Sequence, residues 1–442
     1  MLHGISAWSE YCLNRVPFIL RSEGRFFKLT NSFRLNISTR FQIPLFTRMK
    51  SRALPFAITL ALPGLAGAAG YYLPNQDAFA TAKGNAFIAT ADTAAAVHYN
   101  PAGLTQLEEA EAEINVYSIN LGNKVTTGAG SFESKSEWQA APSIYFGQPI
   151  YDDLAWGFAL TSPFGMGNEW GHGSPFRTVV TEARLAYARA SVALAYDLTE
   201  TLSVGVSGSA DYADLTLEQG LGVAPFDFLR FEGDGTTVAG AVSVLWKPHE
   251  QHSFGFTATS STSLDLDGKV YSNILGSGPG EIDFVTPMRL AGGYSFKPAP
   301  GWNLEANVEW LDWDSLNALW LRSSALPGGA TGVPFHWKSM FIYEAGVSYT
   351  MENGYQFAVG YDYNSNAQPD TFFNPAVSDA DRHWFNAGFG RKCDNWGWFI
   401  AYQFGYSNRD VNGALPTAAG QTANGKYESR HHSVSLSCNY RF

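Results

Sequence analysis

Charge is scarce in this chain of 442 residues. Only 16% of its side chains are Asp, Glu, Lys or Arg, against ~25% in an ordinary soluble domain. That leaves too few charges to cover a usual water-facing surface. Long apolar runs are missing as well, so a bundle of membrane-crossing helices has nothing to build on. Cysteine is nearly absent: Cys12, Cys393 and Cys438 stand far apart, without metal-ligand or redox spacing. There is no Gly-x-Ser-x-Gly and no His-Glu-x-x-His, which lowers the prospect of a hydrolase. Basic residues are outnumbered, 29 to 40. An acidic chain has the wrong sign for binding phosphate backbones, which excludes nucleic acid as a partner.

Aromatic residues, by contrast, are plentiful: 31 Phe, 21 Tyr and 13 Trp, or 15% of the chain, with 44 Gly. A β-structure with one face in lipid accommodates both the low charge and the high aromatic content.

The N-terminal region carries a targeting pattern. Met49-Lys50-Ser51-Arg52 precedes an apolar run from Ala53 to Leu65 and then Ala66-Gly67-Ala68. A basic start, a short oily stretch and small residues at the end make a secretory signal, with cleavage expected after Ala68. Met49 then reads as the initiator and 1–48 as an upstream extension, with a transit peptide as the competing reading. Removing 1–68 takes away nine basic and two acidic residues, leaving 20 against 38 and a net charge of −18.

From Ala69 to Gln106 no strand alternation appears. The stretch is rich in small residues, ends in Asn100-Pro101-Ala102-Gly103, and cannot form a domain alone. After it, alternating strands follow one another to the end. The last is the clearest. His432, Val434, Leu436, Cys438, Tyr440 and Phe442 make one series, almost wholly apolar. His431, Ser433, Ser435, Ser437, Asn439 and Arg441 make the other, wholly polar. Leu154 to Thr161 is the third strand, broken by Ser162-Pro163-Phe164-Gly165, where proline and glycine predict a kink. Fourteen strands are expected in all. Short turns such as Met351-Glu-Asn-Gly354 alternate with long polar loops such as 314–337 and 364–381. This predicts a transmembrane antiparallel β-barrel in an outer membrane. The polar strand faces carry Asp211, Glu305, Glu309, Glu344 and Asp362, which are expected to point into the lumen.

The chain resembles the FadL/TodX-type family of outer-membrane transporters for long-chain fatty acids and other hydrophobic compounds. The resemblance covers nearly all of 69–442. It rests on Ala69-Gly70-Tyr71 followed some thirty residues on by Asn100-Pro101-Ala102. Thr161-Ser162-Pro163-Phe164-Gly165, Trp310-Leu311-Asp312-Trp313 and the run Asp379 to Phe385 add to it. It implies an N-terminal hatch at 69–106 inside a barrel of 107–442. It also implies loop capture of a ligand, an inner apolar pocket, and sideways exit through the kinked third strand.

On that resemblance Ala69, Gly70, Tyr71, Asn100, Pro101 and Ala102 belong to hatch and pocket, and Pro163, Phe164 and Gly165 to the lateral opening. Gln219 falls at a wall position where fatty-acid carriers offer a basic group. His336 and Lys338 are the nearest cationic candidates for a head group. A neutral hydrocarbon ligand therefore stays open beside a fatty acid. The expected partners are a hydrophobic small molecule, outer-membrane lipid, and the barrel-assembly machinery through the terminal Phe442. A monomer without cofactor or metal is expected. The rival classes are an outer-membrane barrel enzyme and an open porin.

Overall fold

The computed structural model describes residues 70–442. The expected extension at 1–48, the leader at 49–68 and Ala69 lie outside the described residues. Two short helices come first, α1 (Ala78–Ala82) and α2 (Ala96–Tyr99), then a 3-10 turn at Pro101–Gln106.

Twenty hydrogen-bonded segments follow. One, Gly130–Glu133, only extends the first strand as a hairpin. Five others are outer or inner halves of strands interrupted midway, which leaves fourteen. They are β1 (Glu111–Thr127), β2 (Trp138–Tyr151), β3 (Leu154–Thr161 and Gly165–Glu169), β4 (Glu182–Thr199) and β5 (Leu202–Gln219). Next come β6 (Leu229–His249), β7 (His252–Thr259 and Thr262–Ser272), β8 (Gly276–Thr286 and Arg289–Phe296) and β9 (Trp302–Leu311 and Ala318–Ser323). The last are β10 (Ala330–Pro334 and Met340–Thr350), β11 (Tyr355–Asn364), β12 (Arg382–Lys392), β13 (Trp396–Val411) and β14 (Gly425–Arg441). Each pairs antiparallel with the next. β14 returns to β1, in register from Glu111 opposite Arg441 to Thr126 opposite Lys426, and closes the barrel. Closure joins the first strand to the last, so neither presents an edge to lipid.

The alternation sorts the side chains as the sequence suggested. On β14, Leu436 and Tyr440 are about half exposed (48% and 50%), whereas Ser433 and Ser435 are buried. Val192, Val206, Val242, Phe256, Val308 and Val359 share the exposed outer face. Asp211, Glu305, Glu309, Glu344 and Asp362 are all buried within. On β5 the outward series from Leu202 to Tyr212 is apolar. Ten steps of ~3.3 Å, tilted ~40°, give a belt ~25 Å tall, the height of an outer-membrane hydrocarbon layer.

Above Tyr212 the polarity of the two faces reverses. The inward residues become Ala213, Leu215 and Leu217, and the outward one is the exposed Asp214. The same reversal occurs on β6 to β8. Phe231, Leu266 and Ile282 turn in, while Glu232, Asp267 and Glu281 turn out. These strands thus rise past the membrane. There they enclose an oily interior behind a wet exterior.

Residues 71–107 are almost entirely buried and hydrogen-bond to inward side chains around the barrel. Wall glycines make room for them. A Cβ at Gly346 would sit 2.2 Å from the Lys83 carbonyl oxygen, and one at Gly360 2.2 Å from the Gly84 nitrogen. The strongest tie is ionic. The Lys83 ammonium donates to Glu305 Oε2 at 2.8 Å and Asn303 Oδ1 at 2.9 Å. Both ion-pair side chains are fully buried. Glu305 Oε1 also accepts the amides of Ala89 (2.7 Å) and Thr90 (3.2 Å).

Replacing Glu305 by alanine strands the Lys83 charge, a change that costs about 3–5 kcal/mol in buried pairs. Amide exchange at Ala89 and Thr90 is expected to quicken by ~100-fold or more. The double change K83M/E305Q, which keeps an acceptor for both amides and buries no unpaired charge, should restore much of the protection.

A second expectation concerns His98, half-buried on α2, whose Nε2 is buried and unpartnered among the described residues. Burial, followed by the Arg289 and Arg189 charges, holds its pKa well below the usual value. The unfolded chain takes up the proton first, so stability falls as pH drops below about 6.5. Exchange of the amides near Asn100 should rise on acidification, and the rise should weaken in His98→Gln.

Candidate functional site

The wall is broken at β3. Thr161 pairs with Arg189 of β4, and Gly165 pairs with Ala186. Three residues, 162 to 164, therefore face two on β4, 187 and 188. This is a bulge of one extra residue. Pro163 sits at its centre and has no N–H to give to a ladder. On the other flank, pairing between β2 and β3 runs from Tyr151 opposite Leu154 only as far as Ile144 opposite Leu160. The outer half of β2 beyond that point pairs with β1 alone among the described residues. Across the gap Gln139 Nε2 donates to the Gly167 carbonyl at 3.4 Å. At the rim the Lys135 amide donates to the Glu169 carbonyl at 2.8 Å. The Lys135 ammonium lies 3.4 Å from the Glu169 carboxylate. The opening is thus a window with a sill and a lintel.

The backbone at the break is satisfied from inside. The Leu73 amide donates to the Pro163 carbonyl at 2.8 Å, and the Gly165 amide to the Tyr71 carbonyl at 2.8 Å. Tyr72 and Phe164 form the antiparallel bridge between them. The start of the described chain therefore patches the hole in the wall.

Above this patch lies an apolar cavity of ≈ 900 Å³, its mouth included. It is lined by Leu215, Leu229, Phe231, Ile282, Phe284 and Leu321 of the reversed strand ends, with Val180 and Val377 from the long loops. Tyr71 forms part of its floor. Its ring lies 4.9 Å from Phe284 and 4.4 Å from Trp313, and 6.1 Å from Phe164 at the bulge. Burial, then the nearby Tyr187, pushes the Tyr71 phenol well above its ordinary pKa. It therefore stays neutral and donates to the Val285 carbonyl. One residue thus touches both the cavity and the break.

Gly70 adopts a left-handed φ of +70°, and a Cβ there would meet Trp337 at 2.8 Å and Trp313 at 2.9 Å. Only glycine fits between these rings.

The remaining sequence candidates separate. Asn100 is buried and lies away from the cavity lining. Its Nδ2 donates to the carbonyls of Ile88 (2.8 Å) and Val244 (3.1 Å), and its Oδ1 accepts from the Ala102 amide at 3.2 Å. The Ala102 amide also donates to Ser243 Oγ at 2.9 Å. Asn100, Pro101 and Ala102 thus tie the segment to β6 and do not line the cavity. Gln219 does line it. His336 and Lys338 do not: both side chains are exposed. The chain there turns Phe335 and Trp337 toward the cavity, so their neighbours face out. His336 packs instead on Phe372, ring centroids 4.5 Å apart. Trp313 and Trp337, absent from the sequence candidates, frame the position of Tyr71. Trp313 could have been found from its place in the Trp310–Trp313 motif; Trp337 carries no such signal.

Residues 59–442 match the family described as outer membrane protein transport protein (OMPP1/FadL/TodX). The chain belongs to this family. The long-chain fatty acid transport protein of Salmonella typhi is 22% identical over 349 residues, 68% of this chain and 78% of that one. That of Escherichia coli K12 is 21% identical over 367 residues, 68% and 79% of the two chains. Among solved structures, a Pseudomonas aeruginosa FadL homologue superposes with a TM-score of 0.76 at 16% identity, covering 85% of this chain and all of its own. The Pseudomonas putida toluene transporter TodX gives 0.69 at 17%, with coverage of 85% and 100%. These likenesses establish the shared fold. Family membership makes this an outer-membrane transport protein, and the oily cavity fits hydrophobic compounds as its cargo.

Gly70→Val should push Tyr71 out from between the tryptophans. Amide exchange at Leu73 and Gly165 is then expected to rise together, while amides of β4 below Arg189 keep their protection. Exchange at Gly165 alone would sever the proposed connection.

Proposed function

We propose that this family member takes up long-chain fatty acids or similar hydrophobic compounds passively. The long loops capture the molecule, the apolar cavity holds it, and the bulged third strand releases it sideways into lipid. Residues 70–106 serve as the hatch that denies the lumen to water and ions. The observation that carries this reading is the position of Tyr71, which borders the cavity and hydrogen-bonds through its carbonyl to the break in β3. A greasy molecule passing from an oily pocket into a bilayer keeps its apolar surface out of water throughout, at ~25 cal/mol for each Å². A central aqueous channel would forfeit that gain. The reading involves transport without chemistry on the cargo. Phe442 serves assembly, and the barrel works as a monomer.

The head group separates two forms of this reading. Relatives are named for long-chain fatty acids and for toluene. Among the described residues, no lysine, arginine or histidine lines the cavity. Its charged borders are Glu182 and Glu218, both held by Arg230 at 2.8 and 3.3 Å. A buried carboxylate without a cationic partner pays a large desolvation cost. The geometry therefore favours an uncharged cargo, such as a hydrocarbon, over a fatty acid carboxylate seated at the cavity wall.

Deleting Pro163 removes the extra residue and lets β3 pair through in register with β4. Uptake of labelled hydrophobic compounds by whole cells should fall to that of cells lacking the protein. The heat-dependent gel shift of the folded barrel should persist. Full uptake through the repaired wall would refute lateral exit.

A further inference from the structure

The apolar cavity continues into a second cavity of ≈ 1690 Å³, its open side included, among the long loops. Leu221, Ile274, Leu326, Phe372 and Leu415 belong to the lining of this outer space. Val179, Gln219, Leu229, Thr331, Val333 and Asn374 line both cavities and so form the neck between them. A molecule moving from the loops into the cavity slides past these side chains.

Asn374 is held in place there. It is only 6% exposed. Its backbone amide donates to Gln368 Oε1 at 2.7 Å, and its Oδ1 accepts the Ala376 amide at 2.9 Å. The Pro375 carbonyl between them accepts from Asn168 Nδ2 at 2.8 Å and Trp170 Nε1 at 3.0 Å. A backbone N–H can only donate, so the end of the carboxamide that meets Ala376 is the oxygen. The NH2 end is left over, and among the described residues it has no partner. Gln219, half-buried at the outer end of β5, makes no side-chain hydrogen bond among the described residues either. A buried donor is costly until an acceptor meets it. Charge is disfavoured at the same place. Glu182 and Glu218 border the cavity, and the Arg230 guanidinium is shared between them and Glu232. Even with His172, 3.5 Å from Glu218, protonated, this group stays net negative. Among the described residues no lysine, arginine or histidine lines either cavity. A carboxylate end is repelled, and a plain hydrocarbon leaves the donors idle.

We infer that the neck is a subsite for the polar end of the cargo, and that the cargo is an apolar chain ending in an uncharged carbonyl, a ketone or an ester. The inference rests on the apolar cavity being the cargo site. Asn374 Nδ2 donates to the carbonyl oxygen, and the Gln219 carboxamide supplies a second donor. The apolar remainder lies against Leu229, Phe231 and Ile282. Gln368 and the Ala376 amide orient Asn374 in advance, so little ordering is left to be done on binding.

The test is equilibrium dialysis of the intact barrel in detergent against labelled 2-undecanone, undecane and undecanoate, with protein-free micelles as the reference. The unaltered protein should bind the ketone about tenfold more tightly than the alkane, and more tightly than the carboxylate. The carbonyl stretch of the bound ketone should fall in frequency, as it does on accepting a hydrogen bond. Asn374→Leu and, separately, Gln219→Leu should each cut the ketone's advantage about threefold, and the double change should bring the ratio near one. Gln219→Leu disturbs no hydrogen bond of the described fold, so it reads the neck even if Asn374→Leu upsets its loop. All variants should keep the heat-dependent gel shift of the folded barrel. Equal binding of ketone and alkane by the unaltered protein would overturn the subsite and leave the cavity as the cargo site. So would an advantage that survives the double change, an unshifted carbonyl stretch, or undecanoate binding as tightly as the ketone. Binding of none of the three above the micelle reference would overturn the cargo cavity itself, and the subsite with it.

Discussion

A sheet that crosses hydrocarbon must satisfy every amide and carbonyl it contains, because lipid offers no replacement. Most of the strand junctions obey this by pairing along their length, but the two beside β3 do not. There the register slips by one residue at Pro163, and the ladder to β2 stops at Leu160. Two hydrogen bonds from the N-terminal segment, to Pro163 and from Gly165, supply what the neighbouring strand withholds. The segment is therefore structural to the wall as well as to the lumen. Its first residues need a narrow, left-handed entry between two indoles, which Gly70 provides.

The second constraint is vertical. Within the bilayer the strands carry oil outward and polar groups inward; above it they carry oil inward and charge outward. Tyr212 and Asp214, two residues apart on β5, mark the changeover. The apolar cavity exists because the strands outrun the membrane. Had the lower pattern continued, polar side chains would stand at the inward positions of Leu215, Phe231 and Ile282, and no oily interior would form.

Much of this was legible in the sequence because a period of two is hard to imitate. The number of strands, the inward placement of Asp211, Glu305 and Asp362, and the kink at Ser162–Gly165 all follow from alternation and from proline chemistry. Other features depend on pairings between distant residues. The one-residue slip at β3 is a relation between two strands and cannot be read on either alone. The alternation near His336 and Lys338 is too irregular to tell which side chains turn inward. Nothing in the alanine-rich stretch around Lys83 signals that this side chain is buried. Its burial depends on Glu305, whose own face was correctly expected but whose partner was not.

That ion pair bears on the sequence of events by which the molecule comes together. Lys83 and Glu305 are 222 residues apart, and β1 must wait for β14 at the far end of the chain. The intervening strands enclose the segment from all sides, so it cannot be threaded through a finished cylinder. Early-made residues must be held in place while late-made strands curl around them. Shedding water from an ammonium is tolerable only when its carboxylate has already arrived. Contacts of such long range make spontaneous folding slow. Closure of the seam and capture of the segment are then one cooperative act, the last step of assembly.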